Sequence, residues 1–130
     1  MKNLSIAEIL AADDLEIEAV ECPEWGGQVW VRSINSYKQD GFDQKYSRGP
    51  DGDLDLRGYR ADMVAMCLCD EEGSFTNPTD AEIKALATTA NARAVDRIFG
   101  VCQRLTGNAP GDAEVTEKNL GELAAANGSG

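Results

Sequence analysis

Two cysteines separated by one residue, Cys67 and Cys69, are the first candidates for chemistry, because cysteine thiolates bind zinc. A structural zinc site needs about four ligands, and no second closely spaced cysteine pair accompanies this one. The surrounding segment predicts a helix, on which residues two apart are rotated by about 200° and point to opposite sides. We therefore interpret both cysteines as thiols packed in or beside the core, and predict no metal site.

A second candidate is the carboxylate series Asp51-Gly52-Asp53-Leu54-Asp55, whose spacing matches the opening of a calcium-binding loop. Leu56 stands where such a loop needs a glycine for its sharp turn. Asp62 stands where the loop needs a longer glutamate that binds calcium through both oxygens. We interpret these residues as solvated acids of a surface loop.

Catalytic chemistry has little support in the sequence. The chain contains no histidine, which removes the usual Ser-His and Cys-His pairs as well as the commonest metal ligand. Its thirteen glycines form neither a dinucleotide-binding nor a P-loop motif. The sequence therefore predicts a protein that is not an enzyme, with no catalytic residues and no cofactor.

Charge and length limit the partners. The 130 residues suit one domain, and twelve basic against twenty-three acidic residues give a net charge of −11. Such a field repels nucleic-acid phosphates and anionic lipids, so we expect neither nucleic acid nor membrane as a partner. The N-terminal segment has no apolar core typical of a secretory signal, and the four cysteines are expected to be free thiols in a reducing cytosol.

The first third of the chain predicts a short helix followed by a hairpin. Ser5 and Glu8 have the spacing of a capping box, and an apolar helical face follows them. Alternation predicts one strand at 15–19, with a bulge near its end, and a second strand at 29–32. If Val29 and Val31 face the core together with Ile17, Trp30 lies on the opposite face.

Helical patterns occupy the rest of the folded region. They cover 36–46, 56–68, 80–87 and 94–105, with a Ser36 capping box opening the first and a Thr79 capping box opening the third. Together these patterns predict an α+β fold, in which an N-terminal antiparallel β-hairpin packs with four to five helices in a single small domain. The folded domain is expected over 1–109, and 110–130 is expected to be a weakly structured acidic C-terminal tail.

Aromatic side chains are the best candidates for contact with a protein partner. Tryptophan and tyrosine are the residues most often found as binding anchors, and five aromatics cluster in and after the hairpin. The candidates are Trp25, Trp30, Tyr37, Phe42 and Tyr46. An alternative is that they cover the small core.

The hairpin sequence Pro23-Glu24-Trp25-Gly26-Gly27 is the most distinctive of several segments that occur in order at 9–15, 20–32, 68–75, 94–107 and 117–120. In this order they resemble the tail assembly chaperones of long-tailed, siphovirus-type bacteriophages and prophages. The loop from Arg48 to Asp55 is longer and more polar than in that family, and cysteines replace aliphatic residues at Cys67 and Cys69.

The resemblance implies a morphogenesis factor that acts in the host bacterial cytoplasm and is absent from the mature virion. Members of that family bind the tape measure protein, a long helical chain that aggregates easily, and promote assembly of the tail tube, so the tail tube protein is a second expected partner. Self-association into a homo-oligomer is left open. The alternative is a minor structural tail or connector protein that stays in the virion.

Overall fold

The computed structural model describes residues 1–47 and 55–107. Within them, five α-helices and a three-stranded antiparallel sheet confirm the α+β prediction. The elements are α1 (Ile6–Ala11), β1 (Ile17–Cys22), β2 (Gly27–Arg32), α2 (Ser36–Lys45), α3 (Tyr59–Cys67), β3 (Leu68–Cys69), α4 (Asp80–Thr89) and α5 (Ala92–Leu105). The acids at 51–54 and the predicted tail at 110–130 lie outside the described residues.

The hairpin pairs residue for residue, from Ile17 opposite Arg32 to Cys22 opposite Gly27. The predicted antiparallel hairpin is therefore confirmed, whereas the predicted bulge is wrong and the first strand starts two residues later than expected. A single turn of 3-10 helix, Pro23–Trp25, joins the strands. Gly26 ends that turn at φ +71°, a left-handed conformation that suits glycine.

Only one face of the sheet contributes strand side chains to the core. Residues paired across an antiparallel sheet share a face, and neighbours along a strand alternate. Val20, Cys22 and Val31 lie on the core face and are buried. Ile17 pairs with Arg32 and so lies on the opposite face together with Trp30. The prediction for Trp30 is confirmed, and the one that placed Ile17 with the core valines is wrong.

Helices α3 and α5 cover the core face of the sheet. Helix α5 is strongly amphipathic, and its buried residues recur at the three- and four-residue spacing of one helical face. The core cluster consists of Val20, Cys22, Val31, Phe42, Tyr46, Met63, Val64, Cys67, Val95, Ile98, Phe99, Cys102 and Leu105.

The helix starts differ from expectation in two places. The side chain of Asn35, not of Ser36, caps α2 by accepting a hydrogen bond from the Lys38 amide at 2.8 Å. Helix α3 begins at Tyr59 because Gly58 precedes it at φ +80°, outside the helical region. Leu56 therefore packs on the core from outside the helix.

The other two capping boxes are confirmed. Ser5 caps α1 with Glu8, and Thr79 caps α4 with Glu82. Helix α4 extends two residues beyond the predicted end. It buries no residue fully, and Ala87 is exposed.

We predict that alanine substitutions at two apolar residues, each expected on an apolar helix face, will differ strongly in their effect on the free energy of unfolding. Replacing the buried Ile98 with Ala removes packed methyl and methylene groups and leaves a cavity, so it should lower the free energy of unfolding by about 2–5 kcal/mol. In the monomer at low protein concentration, Leu10→Ala, on the exposed face of α1, should change it by less than about 0.5 kcal/mol. Urea denaturation with an unchanged slope measures both values. Equal effects would contradict the core assignment.

Candidate partner-binding surface

The second face of the sheet carries a row of apolar side chains. Ala19 pairs with Trp30, Trp30 with Cys69, and Cys69 with Phe75 through an isolated bridge, so these four share a face. Ala19, Trp30 and Phe75 are half-buried. None of the four belongs to the core cluster or to the side chains packed on it. With Ile17 and Arg32, this row is called the open face below.

Two cations border the open face at Phe75. The guanidinium carbon of Arg32 lies 4.1 Å from the centroid of the Phe75 ring, and Lys38 Nζ lies 3.3 Å from it. Both distances permit cation–π attraction. Burial and the neighbouring charge of Arg32 lower the pKa of Lys38 below its ordinary value. The two charges therefore lie close together on one apolar surface.

The turn between Cys69 and Phe75 holds this arrangement in place. One carboxylate oxygen of Asp70 accepts hydrogen bonds from the amides of Glu72 and Ser74, each at 2.9 Å. Arg32 Nη1 donates to the Gly73 carbonyl at 2.8 Å. Gly73 has φ +93°, and a Cβ there would lie 2.9 Å from the Cδ1 atom of Ile17. A larger residue at this position would disturb both the turn and the open face.

Arg32 and Lys38 also have no carboxylate partner among the described residues. Ten of the twelve basic side chains belong to that part of the chain, and six of them form ion pairs. The pairs are Lys2–Glu8, Lys45–Asp62, Arg57–Asp55, Arg60–Asp96, Arg97–Glu24 and Arg104–Glu18. The remaining four are Arg32, Lys38, Lys84 and Arg93. Arg32 and Lys38 meet at the Phe75 ring, although acidic residues greatly outnumber basic ones in this protein.

The hairpin tip forms a separate surface. Trp25 is 43% exposed there. The tip is fixed to α5 because Arg97 donates to both oxygens of Glu24, at 2.7 and 2.8 Å. This bidentate pair lowers the pKa of Glu24 to about 2.

The structure divides the five predicted aromatic residues into two groups. Trp25 lies at the hairpin tip, Trp30 on the open face, and Tyr37 is 86% exposed on α2. Phe42 and Tyr46 are corrected: both are buried, and their rings meet at 5.0 Å within the core. Phe42 and Tyr46 follow the three- and four-residue spacing that turns a helix face inward, which is why they pack rather than project.

Phe75, Arg32 and Lys38 are surface residues that the sequence interpretation missed. They meet because Leu68 and Cys69 form a third strand, where the sequence pattern predicts the end of a helix. A two-residue strand is too short to show alternation. The only available signal was the turn at 70–73, which reverses the chain after Cys69.

The four cysteines are all free and buried, in agreement with the interpretation as core thiols. The geometric argument about Cys67 and Cys69 is wrong, because Cys67 ends α3 and Cys69 lies in β3. Burial raises the pKa values of Cys22 and Cys69, and a hydrogen bond with Cys67 together with burial raises that of Cys102. In the described part of the chain no three Cys, Asp or Glu side chains converge as a metal site, and no helix there has the length and hydrophobicity needed to cross a bilayer.

Comparisons with protein-family models, with curated proteins and with solved structures found no match to this chain.

Thiol reactivity should report this burial directly. We expect a disulfide exchange reagent at pH 8 to modify less than one thiol of the native protein in the time that it modifies all four in urea. All four thiols are buried, and the pKa values of Cys22, Cys69 and Cys102 are raised. Absorbance of the released thiolate measures both. Rapid reaction at Cys69 would contradict its placement beneath the open face.

The Glu24–Arg97 pair should give a defined pH dependence. The pKa of Glu24 is about 2 in the folded protein against an ordinary 4.5, so its stabilising effect is complete above about pH 4.5 and disappears as the pH falls toward 2. Glu24→Gln should lower the thermal midpoint at pH 7, and the gap should close over that range. Glu72→Gln removes an equal charge from an exposed turn and serves as the control. A gap that is constant with pH would contradict the pair.

Proposed function

We propose that this domain is a phage tail assembly chaperone that binds the tape measure protein and promotes assembly of the tail tube. The observation that carries the proposal is the open face, an apolar and aromatic surface that lies outside the core and bears two cations with no carboxylate partner in the described part of the chain. The ordered resemblance along the sequence supplies the identity of the client.

The open face suits a helical client. A sheet normally buries both faces or leaves one of them polar, so a half-exposed apolar face is a candidate binding surface. An amphipathic helix can lay its apolar side along the row from Ala19 to Phe75. Arg32 and Lys38 at the end of that row would attract carboxylates of the same helix, and this contact would fix its direction.

The acidic remainder of the chain suits the same task. A net charge of −11 keeps a protein dispersed, and a complex with an aggregation-prone client would share that repulsion. In this proposal the protein acts by binding alone, and no bond is made or broken. Its place of action is the host bacterial cytoplasm.

The client interaction is tested by co-expression with the tape measure protein. We expect the wild-type domain to raise the soluble fraction of the client, as measured by gel densitometry after centrifugation. Trp30→Ala should weaken binding by about five- to thirtyfold, since a half-buried tryptophan at the centre of an interface is a typical hot spot.

The matched control is Trp25→Ala, which removes the same side chain from the hairpin tip. It should retain client binding if the open face is the site. Unchanged solubility of the tape measure protein with the wild-type domain would overturn the proposed function. Equal losses for both tryptophan variants would instead overturn the choice of the open face.

The alternative, a minor structural tail or connector protein, differs in where the protein is found at the end of assembly. Mass spectrometry of purified virions distinguishes the two. We expect the domain to be absent from finished particles and present in lysates, and its presence at a fixed copy number per virion would favour the structural alternative.

A further inference from the structure

Helix α1 has an apolar face that none of the described residues of its own chain buries. Its six residues bury no side chain, and Ile6, Ile9 and Leu10 are 72%, 52% and 80% exposed. Isolated helices shorter than about twelve residues are marginal in water, and one capping box adds only about 1 kcal/mol. A surface that covers these side chains would stabilise the helix.

The residues after α1 carry charge that is also unpartnered. Asp13 and Asp14 follow the helix directly, and neither forms an ion pair or a hydrogen bond with any described residue. Glu8, by contrast, is occupied by its cap and by Lys2. Residues 5–16, named here the N-terminal arm, therefore present three exposed aliphatic side chains on α1, followed by two carboxylates that have no partner among the described residues.

The open face has the complementary composition. It offers Trp30 and Phe75 as apolar contacts, and Arg32 and Lys38 as cations that no described carboxylate neutralises. We propose that the N-terminal arm of a second copy of this chain docks on the open face, with α1 over the aromatic row and Asp13 and Asp14 beside the two cations. Reciprocal exchange of arms between two copies then makes the same contact twice and closes a dimer.

A second copy is the better occupant because only the end of the arm reaches the open face of its own chain, where Leu15 lies beside Ile17 at Gly73. The arm enters the sheet at Ile17, on the open face itself, yet the aliphatic side chains of α1 remain exposed and Trp30 remains half-exposed. Exchange between copies covers both surfaces without altering the path from Ala12 to Ile17. Docking within one chain is the competing arrangement, and the experiment below separates the two.

The proposed dimer is inferred only from the complementary surfaces of the arm and the open face. The biological role given to the dimer rests on the proposed function. The arm and the client would compete for one surface, so the partner's arm would cover the aromatic row until a client displaces it. Client rescue could fail while the dimer persists, and the dimer could fail while client rescue persists. The two proposals are thus tested independently.

The test is a charge exchange between two full-length variants, followed by light scattering coupled to gel filtration. Lys38→Glu places an acid on the open face, and Asp13→Lys with Asp14→Lys places bases on the arm. We expect a dimeric wild type and a dissociation constant at least about tenfold higher for each variant alone, since like charges then meet in both contacts. Mixing the two variants should restore the dimer, because both contacts in the mixed pair again join opposite charges.

Lys84→Glu is the matched control, since Lys84 is an exposed lysine of α4 with no carboxylate partner among the described residues, and this variant should remain dimeric. Leu10→Glu, at an exposed site that cannot disturb the core, should be monomeric with an unchanged circular dichroism spectrum. A monomeric wild type, a dimer that survives Lys38→Glu, or a mixture that stays monomeric would each overturn the inference. Docking of the arm within its own chain would appear as a monomeric wild type and no restoration on mixing.

Discussion

The alternation of side chains along β1 and β2 gives this small sheet two faces with apolar side chains, while the core takes its strand residues from only one of them. Val20, Cys22 and Val31 point to α3 and α5, and that requirement forces Ile17, Ala19 and Trp30 to the opposite side. A change of register by one residue would exchange the two sets, which would bury charge and expose the valines. The open face is thus a consequence of how the core is made.

Ion pairs reinforce this asymmetry. Arg97 and Arg104 of α5 pair with Glu24 at the hairpin tip and Glu18 of β1, so they hold the helix across the core face. Arg32 instead donates to the carbonyls of Ser33 and Gly73, which fixes its guanidinium over Phe75 without neutralising it. Exposed pairs of this kind contribute little stability singly. Their effect here is to occupy six of the ten described basic residues, while Arg32 and Lys38 at the open face have no carboxylate partner among the described residues.

Features that depend on only a few neighbouring residues were predicted correctly from the sequence. The capping boxes at Ser5 and Thr79 and the amphipathic spacing of α5 follow from side-chain chemistry over one or two turns, and all three are present. Burial of Phe42 and Tyr46 was not accessible in this way, because it depends on the Tyr59 ring of α3, which meets both of them in space. The same holds for Phe75, whose position depends on a two-residue strand and on a glycine turn that only the folded chain brings beside Arg32.

The proposed client and the proposed partner arm place opposite demands on the open face. Covering the aromatic row protects it from nonspecific contacts, but a cover that binds too tightly would exclude the client. A micromolar dimer corresponds to about 8 kcal/mol, and a client that reaches nanomolar affinity through the same row gains about 4 kcal/mol more, enough to displace the arm at equal concentration. A six-residue helix and two carboxylates would bind with the weaker, micromolar affinity, whereas a long helical client can add contacts outside the aromatic row of the open face. The shortness of α1 is therefore what would make the cover reversible.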